Sequence, residues 1–422
     1  MKKKIVGIIG LGYVGLPLTI LLNKKFNTIG FDTDKNKIKY ILKNKSYISD
    51  IKNKEIKLIK NKEFYFKFNK KNIGKCDVII ICLPTPLAND KPDLSYIITA
   101  FENIYNFLRP NQLIILESTV YPGATKKIFE KKLKKKFNLG NNFYLGYSPE
   151  RINPGSKKIK TNNYSYQSIT KLVSGYSKTC RLKTNQIYSK VFKKTFECKD
   201  IETAETSKLY ENIFRSVNIA LVNNFKMFCY KFDLNVHDIL DAADTKGFGF
   251  KKFLPGPGIG GHCIPIDPIF LEWFAKKKNF STKFISLAKK VNIDTTNWIL
   301  KHVTKNIFKN KKEKILVLGA AYKKNIDDIR ESPFLHIANK IIKLKKLELF
   351  YHDPYVKSVK IKNTILCSIN YKHIFKKRFE KILILTDHDF YPWKKISQIT
   401  RSKIYDTRGV LKNYTKKNIF HL

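Results

Sequence analysis

The feature that most constrains the fold of this chain is its opening. An apolar run Ile5–Ile9 leads into Gly10-Leu-Gly-Tyr-Val-Gly15, and the acid Asp32 closes the next apolar run, 22 residues after Gly10. A strand, a tight glycine turn, a helix and a second strand ending in a carboxylate form the first unit of a doubly wound α/β domain. Gly10 permits the turn, Gly12 lets backbone N–H groups reach a pyrophosphate, and Gly15 lets the helix pack on the strand. Leu11, Tyr13 and Val14 complete the loop. Asp32 is placed to accept hydrogen bonds from an adenosine ribose, and its charge repels a 2′-phosphate, which favours NAD over NADP; Lys37 partly offsets that repulsion.

Short apolar runs alternate with helical patterns as far as about Gly175, the pattern of a parallel sheet wound with helices. They are Thr28–Phe31, Val78–Leu83, Leu113–Leu116, Phe143–Tyr147 and Lys171–Val173. Several end in polar or turn residues: Pro84-Thr85-Pro86, Ser118-Thr119 and Ser148-Pro149-Glu150. In an open parallel sheet those ends line the ligand crevice, so Thr85, Ser118, Thr119 and Glu150 are candidate site residues. From about Ile201 to Asn235 the pattern becomes one long helix, followed by a helix near Val236–Ala243, a glycine loop, and helical sequence from Ile269 to about Phe308. Alternation restarts at Lys314, with strands at Ile315–Leu318, Leu347–Tyr351 and Ile382–Leu385 and a helix at Phe334–Leu344. The expected architecture is α/β, with two Rossmann-like doubly wound domains joined by a central all-helical domain. The expected boundaries are 1–200, 201–310 and 311–422, and a chain of 422 residues is long enough for several domains.

The glycine loop reads Pro255-Gly-Pro-Gly-Ile-Gly-Gly-His-Cys-Ile-Pro-Ile-Asp267. A lone cysteine is ordinarily a small buried hydrophobe. Here four glycines and two prolines ahead of Cys263 mark an irregular loop where backbone can approach a ligand, and Asp267 follows as a base or orienting group. A thiol beside a nicotinamide can attack an aldehyde, lose hydride from the thiohemiacetal and release a carboxylate by hydrolysis of the thioester. Lys208 and Asn212, four apart on the long helix, project from one face; taken alone they also fit two solvated polar residues.

Composition narrows the partners. The formal charge of +48 comes from 82 Lys+Arg against 34 Asp+Glu, with only eight arginines. The lysines are spread along the chain, whereas a nucleic-acid reader concentrates charge on one face and uses arginine for bidentate contacts. The positive field would still draw in a polyanionic nucleotide. Seven scattered cysteines with no Cys-x-x-Cys spacing argue against disulfides or structural zinc and for a reducing cytoplasm. The uncharged run Ile5–Leu22 after Lys2-Lys3-Lys4 imitates a signal peptide or membrane span, but the fingerprint glycines and Pro17 interrupt it. No metal is required, because the cysteine supplies the covalent handle.

Gly10–Gly15, Asp32, Glu117-Ser118-Thr119, Ser148-Pro149-Glu150, Glu205-Thr-Ser-Lys-Leu-Tyr-Glu-Asn212, Gly260-Gly-His-Cys263 with Asp267, and Lys323…Arg330-Glu-Ser332 occur in this order. In that order they resemble the UDP-glucose/GDP-mannose dehydrogenase family over essentially the whole chain. The resemblance implies an NAD domain, a central helical domain that usually builds a dimer, and a C-terminal UDP-sugar domain. It makes Cys263 the nucleophile, Lys208 the group that stabilises the oxyanion or relays protons, and Asn212 an oxyanion donor. It also implies that Asp267 and Thr119 order water and that Glu150 is the base for thioester hydrolysis. The loop Gly10–Gly15, Asp32, Lys37, Thr85, Ser118, Thr119 and Arg330 would contact cofactor. Glu150, Arg151, Lys208, Asn212, Gly258, Gly260 and Lys323 would contact the nucleotide sugar.

One departure matters: Pro154 stands where the UDP-glucose enzymes typically carry a second glutamate. Pro149-Glu-Arg-Ile-Asn-Pro-Gly155, Thr245-Lys-Gly-Phe-Gly-Phe250 and the cysteine loop are similar to the branch acting on UDP-N-acetylhexosamines, most of all the UDP-N-acetyl-D-glucosamine 6-dehydrogenases. The resemblance thus implies oxidation of C6 of a UDP-N-acetylhexosamine to the uronic acid with two NAD and one water, for surface polysaccharide precursors. The galactosamine, mannosamine and glucose substrates stand behind glucosamine. Two other readings are a two-electron hydroxyacid dehydrogenase, which has no use for Cys263 or Asp267, and a basic binding protein that has lost catalysis, which Lys208, Asn212, Cys263 and Glu150 speak against.

Overall fold

The computed structural model describes residues 3–48, 51–60, 62–151, 166–305, 312–344 and 346–422. The chain forms two compact units, one of Met1–Glu211 with Ile269–Phe280 and one of Asn212–Pro268 with Ser281–Leu422. Among the described residues no helix is long and apolar enough to cross a membrane.

The first unit begins with β1 (Ile5–Ile9), α1 (Gly15–Leu22), β2 (Asn27–Phe31), α2 (Lys35–Leu42), α3 (Asn53–Lys57), β3 (Glu63–Tyr65), α4 (Lys70–Lys75) and β4 (Val78–Ile81). The short hairpin β5 (Leu87–Ala88) and β6 (Lys91–Pro92) follows, then α5 (Ser95–Tyr105), β7 (Leu113–Leu116), α6 (Ala124–Lys136), β8 (Tyr144–Tyr147), β9 (Lys171–Gly175), α7 (Lys178–Tyr188) and β10 (Thr195–Glu197). Its sheet has the order β10-β9-β8-β7-β4-β1-β2-β3. The strands from β3 across to β8 pair in parallel, as the alternating runs predict. Val6, Ile8, Ile80 and Ile115 pack with Leu18, Leu22 and Ile187 into one core. Gly15 is demanded by close approach: a Cβ there would lie 1.8 Å from the Gly10 carbonyl oxygen.

The segment expected to add another parallel strand at Lys171–Val173 does otherwise. β9 runs antiparallel to β8, pairing Gly146 with Gly175 and Tyr147 with Ser174. An apolar run carries no information about strand direction, and an antiparallel neighbour needs no crossover helix. The reversal puts Lys171, the first residue of β9, at the sheet edge where β7 and β8 end.

The central helices are α8 (Ile201–Lys231), α9 (Val236–Asp244), α10 (Asp267–Lys276) and α11 (Lys283–Thr304). The helical sequence expected from Ile269 onward forms α10 and α11, divided by a turn in which Asn279 has φ 56°; Phe308 lies outside the described residues. The second unit continues with β11 (Glu313–Leu318), α12 (Pro333–Lys343), β12 (Leu347–His352), the hairpin β13 (Ser358–Ile361) and β14 (Thr364–Cys367), α13 (His373–Lys376), β15 (Lys381–Ile384), α14 (Trp393–Ser397), β16 (Lys403–Asp406) and β17 (Ile419–His421). Its sheet is parallel throughout, in the order β12-β11-β15-β16-β17. Ile315 and Val317 face Phe334, Ile337 and Ile341 of α12, while Leu316 and Leu318 pack with Ile374 and Ile396 on the other face. Burial on both faces explains why these strands read as continuous apolar runs.

In the first unit Glu205 of α8 caps α6. Its carboxylate accepts from the backbone N–H groups of Gly123 (2.5 Å) and Thr125 (2.9 Å) and from the Thr125 hydroxyl (2.6 Å). Burial pushes this carboxyl from 4.5 up to about 7, against the pull of those donors. A folded-state value above the unfolded one stabilises the fold when the group is protonated, and that contribution is lost as pH rises through about 7. We expect Glu205→Gln, which gives up one acceptor, to cost about 1–2 kcal/mol at low pH. Thermal unfolding at pH 5.5 and 8.5 should show the gap to wild type shrinking at the higher pH.

Candidate active site

In the first unit the glycine turn and Asp32 are tied together. Asp32 Oδ2 accepts from Leu11 N (2.9 Å) and pairs with Lys37 Nζ at 3.0 Å, and Oδ1 accepts from Asp34 N (2.9 Å). The sequence expectation for Lys37 is thereby made specific: it touches the acid itself. Beyond its chain neighbours, a Cβ on Gly12 would meet no atom of the described residues within 4 Å, so space stands open where loop N–H groups would face a pyrophosphate. Asp32 Oδ1 keeps a lone pair for a ribose hydroxyl. The residues present fit NAD.

The ends of β4, β7 and β8 carry the other residues singled out in this unit. Thr85 and Ser118 are buried, and Ser118 Oγ bridges the backbone of Leu83, accepting from its N–H (3.0 Å) and donating to its carbonyl (2.7 Å). Thr119 and Glu150 are half-buried. Arg151 N donates to Glu150 Oε1 (2.7 Å), while its guanidinium grips Glu211 of α8 at 2.6 Å and donates to Thr170 O. Pro154 and Gly155 lie outside the described residues.

Sequence reasoning missed the group that joins these strand ends. Lys171 Nζ lies 3.1 Å from Glu117 Oε1, 3.4 Å from Glu150 Oε2 and 3.2 Å from Pro149 O, and it sits over the Tyr188 ring. The Tyr188 hydroxyl donates to Glu117 Oε1. Burial pushes the Glu117 carboxyl up to about 7, with Lys171 pulling it back and Glu150 adding to the rise. Burial alone would lower the Lys171 ammonium, but the two carboxylates more than reverse that. A charged residue opening an apolar strand was the available signal; its meaning depends on the strand's direction.

Lys208 and Asn212 sit one turn apart on α8, and both are buried, which removes the solvated reading of the pair. The Lys208 ammonium has no hydrogen-bond or ion-pair partner among the described residues.

In the second unit Asn212 Nδ2 donates to Asp267 Oδ2 at 2.5 Å, joining residues 55 apart in sequence. Asp267 N donates in turn to the Cys263 carbonyl (2.8 Å), closing the turn that carries the thiol. Cys263 is exposed, unlike a packing cysteine, and none of the seven cysteines forms a disulfide. The glycine loop is held along its length. Asn223 and Lys226 of α8 clamp Gly256, accepting from its N–H (2.9 Å) and donating to its carbonyl (2.9 Å), and Thr296 donates to Pro257 O (2.7 Å). Gly261, at φ 91°, donates to Arg330 O (2.8 Å), and a Cβ there would strike the Tyr322 ring at 2.8 Å. Gly258 lies against Thr296 and Gly260 against Tyr322, so the loop packs on the segment that carries Lys323 and Arg330. Lys323 is half-buried, and the Arg330 guanidinium is held on Asp328 at 2.6 Å. The clamps from Asn223, Lys226 and Thr296 were not read from the sequence, because nothing in the helix pattern marks which polar residues reach a loop.

Three family models cover the chain: the UDP-glucose/GDP-mannose dehydrogenase family NAD binding domain at residues 4–193, its central domain at 202–294 and its UDP binding domain at 316–413. Protein CapL of Staphylococcus aureus is 34% identical over 80% of this chain and 79% of its own length. The UDP-N-acetyl-D-glucosamine 6-dehydrogenase of Pseudomonas aeruginosa is 32% identical, covering 84% of each. The solved structure of the UDP-D-ManNAc dehydrogenase of Pyrococcus horikoshii superposes with a TM-score of 0.82 at 29% identity, covering 98% of this chain and 96% of that one. The chain belongs to the UDP-glucose/GDP-mannose dehydrogenase family and is an NAD-dependent UDP-sugar dehydrogenase.

Proposed function

We propose that this enzyme oxidises C6 of a UDP-N-acetylhexosamine, UDP-N-acetylglucosamine first, to the uronic acid through a cysteine adduct, for surface polysaccharide biosynthesis. The observation that carries the chemistry is the Asn212–Asp267–Cys263 connection, in which an oxyanion donor is fixed to the turn that presents an exposed thiol. The P. aeruginosa relative named for UDP-N-acetyl-D-glucosamine and the Pro154 departure support the substrate. The P. horikoshii structure, titled for UDP-D-ManNAc, supports mannosamine as the second reading.

Held at the Gly10–Gly15 turn and Asp32, NAD would supply the hydride-accepting chemistry, two equivalents for each sugar oxidised to the acid. Lys208, buried without a counter-ion among the described residues, stabilises the oxygen as it gains negative charge, and Asn212 donates to it. Cys263 attacks the aldehyde carbon to form the C–S bond, and its thiohemiacetal becomes a thioester. Glu150 takes a proton from the water that breaks that bond, with Thr119 and Asp267 ordering the water. Asp32, the Gly10–Gly15 loop, Thr85, Ser118 and Arg330 hold cofactor; Arg151, Gly258, Gly260 and Lys323 hold the sugar nucleotide. We assign the three parts as 1–200, 201–310 and 311–422, and the enzyme to the cytoplasm.

A homodimer formed through the central helices belongs to the same proposal. Leu221 and Phe228 of α8, Phe232 just after it, and Phe284 and Leu287 of α11 are exposed apolar side chains, more than solvent-facing helices of a monomer ordinarily carry. A Leu221→Asp variant should elute as a monomer where wild type elutes as a dimer; light scattering gives the masses, and a monomeric wild type refutes the assignment.

Incubation with NAD and UDP-N-acetylglucosamine, -mannosamine, -galactosamine and UDP-glucose, each followed at 2 NADH per sugar consumed, tests substrate and stoichiometry together. A ratio of one identifies a two-electron dehydrogenase. Cys263→Ala should lower acid formation about 10³-fold or more, and Cys263→Ser should accumulate an ester adduct seen by intact mass. Full turnover by Cys263→Ala would end the covalent mechanism.

A further inference from the structure

A buried imidazole in the second unit joins the two ends of the turn that carries Lys323. β11 ends at Leu318, and the chain then runs through Ala320 and Ala321 to Lys323 and Asn325. At the near end Ala320 N and Ala321 N donate to Asp353 Oδ2 (2.7 and 3.0 Å), and the Thr386 hydroxyl donates to Ala321 O (2.6 Å). At the far end Asn325 N donates to Nδ1 of His388 (2.9 Å). The other ring nitrogen of His388, Nε2, lies 3.0 Å from the same Asp353 Oδ2. The His388 and Asp353 side chains are both 0% exposed, and the Tyr355 and Tyr391 rings pack beside the imidazole with centroids 5.1 and 5.9 Å away.

These two bonds fix the tautomer. A backbone N–H can only donate, so Nδ1 is bare and the ring proton sits on Nε2, from which it donates to the carboxylate. A side chain that accepts on one edge and donates on the other is what the two ends of this turn require; an apolar side chain of the same volume would fill the space and hold neither. The far end needs holding, because Asn325 has φ 63°, a left-handed backbone that persists where its surroundings fix it. Asp389 adds to the grip: its N–H donates to Asn325 Oδ1 (3.1 Å), and its carboxylate accepts from Asn325 Nδ2 (2.5 Å) and Lys324 Nζ (3.2 Å). We infer that His388 is a positioning residue for Lys323: its Nδ1 fixes the far end of the turn, and with it the place from which Lys323 meets the sugar nucleotide. This rests on the role of Lys323 proposed above. His388 is wholly buried, so it acts through the backbone of the turn.

Steady-state kinetics with NAD and the UDP-sugar that the enzyme oxidises give the test, each variant being assayed well below its measured unfolding midpoint. In His388→Asn the amide oxygen falls where Nδ1 stood and keeps the acceptor. In His388→Gln the side-chain amide reaches toward Asp353 and leaves the Asn325 N–H without this acceptor. His388→Gln should raise KM for the UDP-sugar about tenfold, the loss of one well-placed charged contact, with kcat and KM for NAD little changed. His388→Asn should return KM to near the wild-type value. Lys323→Met should raise the same KM, and adding His388→Gln to it should raise it no further, because residues that act through one contact are not additive. The unmutated enzyme supplies a second readout that needs no variant to fold: imidazole nitrogen NMR should show the His388 proton on Nε2 and a bare Nδ1, and a proton on Nδ1 overturns the inference. If Lys323→Met raises KM but His388→Gln does not, or if the two effects add in the double variant, His388 is structural only and the inference falls by itself. If Lys323→Met leaves KM unchanged, the role of Lys323 fails first and this inference goes with it.

Discussion

An acid at the end of one strand, tied to the glycine turn that follows the neighbouring strand, is the constraint on which both units depend. In the first, Gly10 N donates to Phe31 O (2.8 Å) and Asp32 Oδ2 accepts from Leu11 N (2.9 Å). The second repeats the scheme: Gly319 N donates to His352 O (2.9 Å), and Asp353 Oδ2 accepts from Ala320 N (2.7 Å) and Ala321 N (3.0 Å). The two glycines even share a φ, 91° and 92°. The acids differ in what they have left to offer. Asp353 also takes His388 Nε2 at 3.0 Å and the N–H groups of Tyr355 and Val356, and it is 4% exposed. Burial alone would raise its carboxyl, but His388 and the backbone donors hold it below the usual range. Such an acid ties the turn and has nothing to spare for a ribose. One skeleton therefore yields one turn suited to a dinucleotide and one that is not, which is why the cofactor belongs to the first unit.

Burial separates the lysines that matter from a charge of +48 that does not discriminate. Exposed pairs such as Lys132–Glu102, at 2.7 Å, contribute about 0–1 kcal/mol each. Burying an ammonium costs several times that unless something compensates. Lys381 is compensated by Glu313 at 2.8 Å and Lys171 by two carboxylates. Lys208 has no such anion among the described residues, and in the proposed reaction the charge developing on substrate is its counterpart. Composition therefore suggested a solvated basic surface, and the informative cations were the few that had left it.

How far the chain could be read depends on the kind of signal. The strand–turn–helix opening, the long α8 and the restart of alternation at β11 all rest on periodicity, which survives in the sequence. Asn212 and Asp267 were legible as motif residues, but their hydrogen bond required the loop between them to return to α8. Strand direction leaves no trace in an apolar run, and so β9 was read as parallel and Lys171 as an ordinary strand residue. Glu117 stood in the sequence beside Ser118 and Thr119 with no partner in view, because its ion pair needs the lysine that the reversed strand brings.

The loop that carries Cys263 shows how an irregular segment can hold an exposed thiol still. Loops ordinarily move more than the elements they join, and a displacement of about 1 Å at a nucleophile is enough to cost much of its rate. Here the backbone groups that would let the loop drift are already spent on Asn223, Lys226, Thr296, Arg330 and Asp267. Lys226 is the unusual member. Burial, with Arg408 adding repulsion, lowers its ammonium to about 7, so it titrates in the range where the enzyme would work. An amine donates an N–H whether or not it is charged, so the clamp on Gly256 survives that titration, and a donor without a compensating anion is tolerable there. A carboxylate could not replace it, since it would face the same carbonyl with no proton to give.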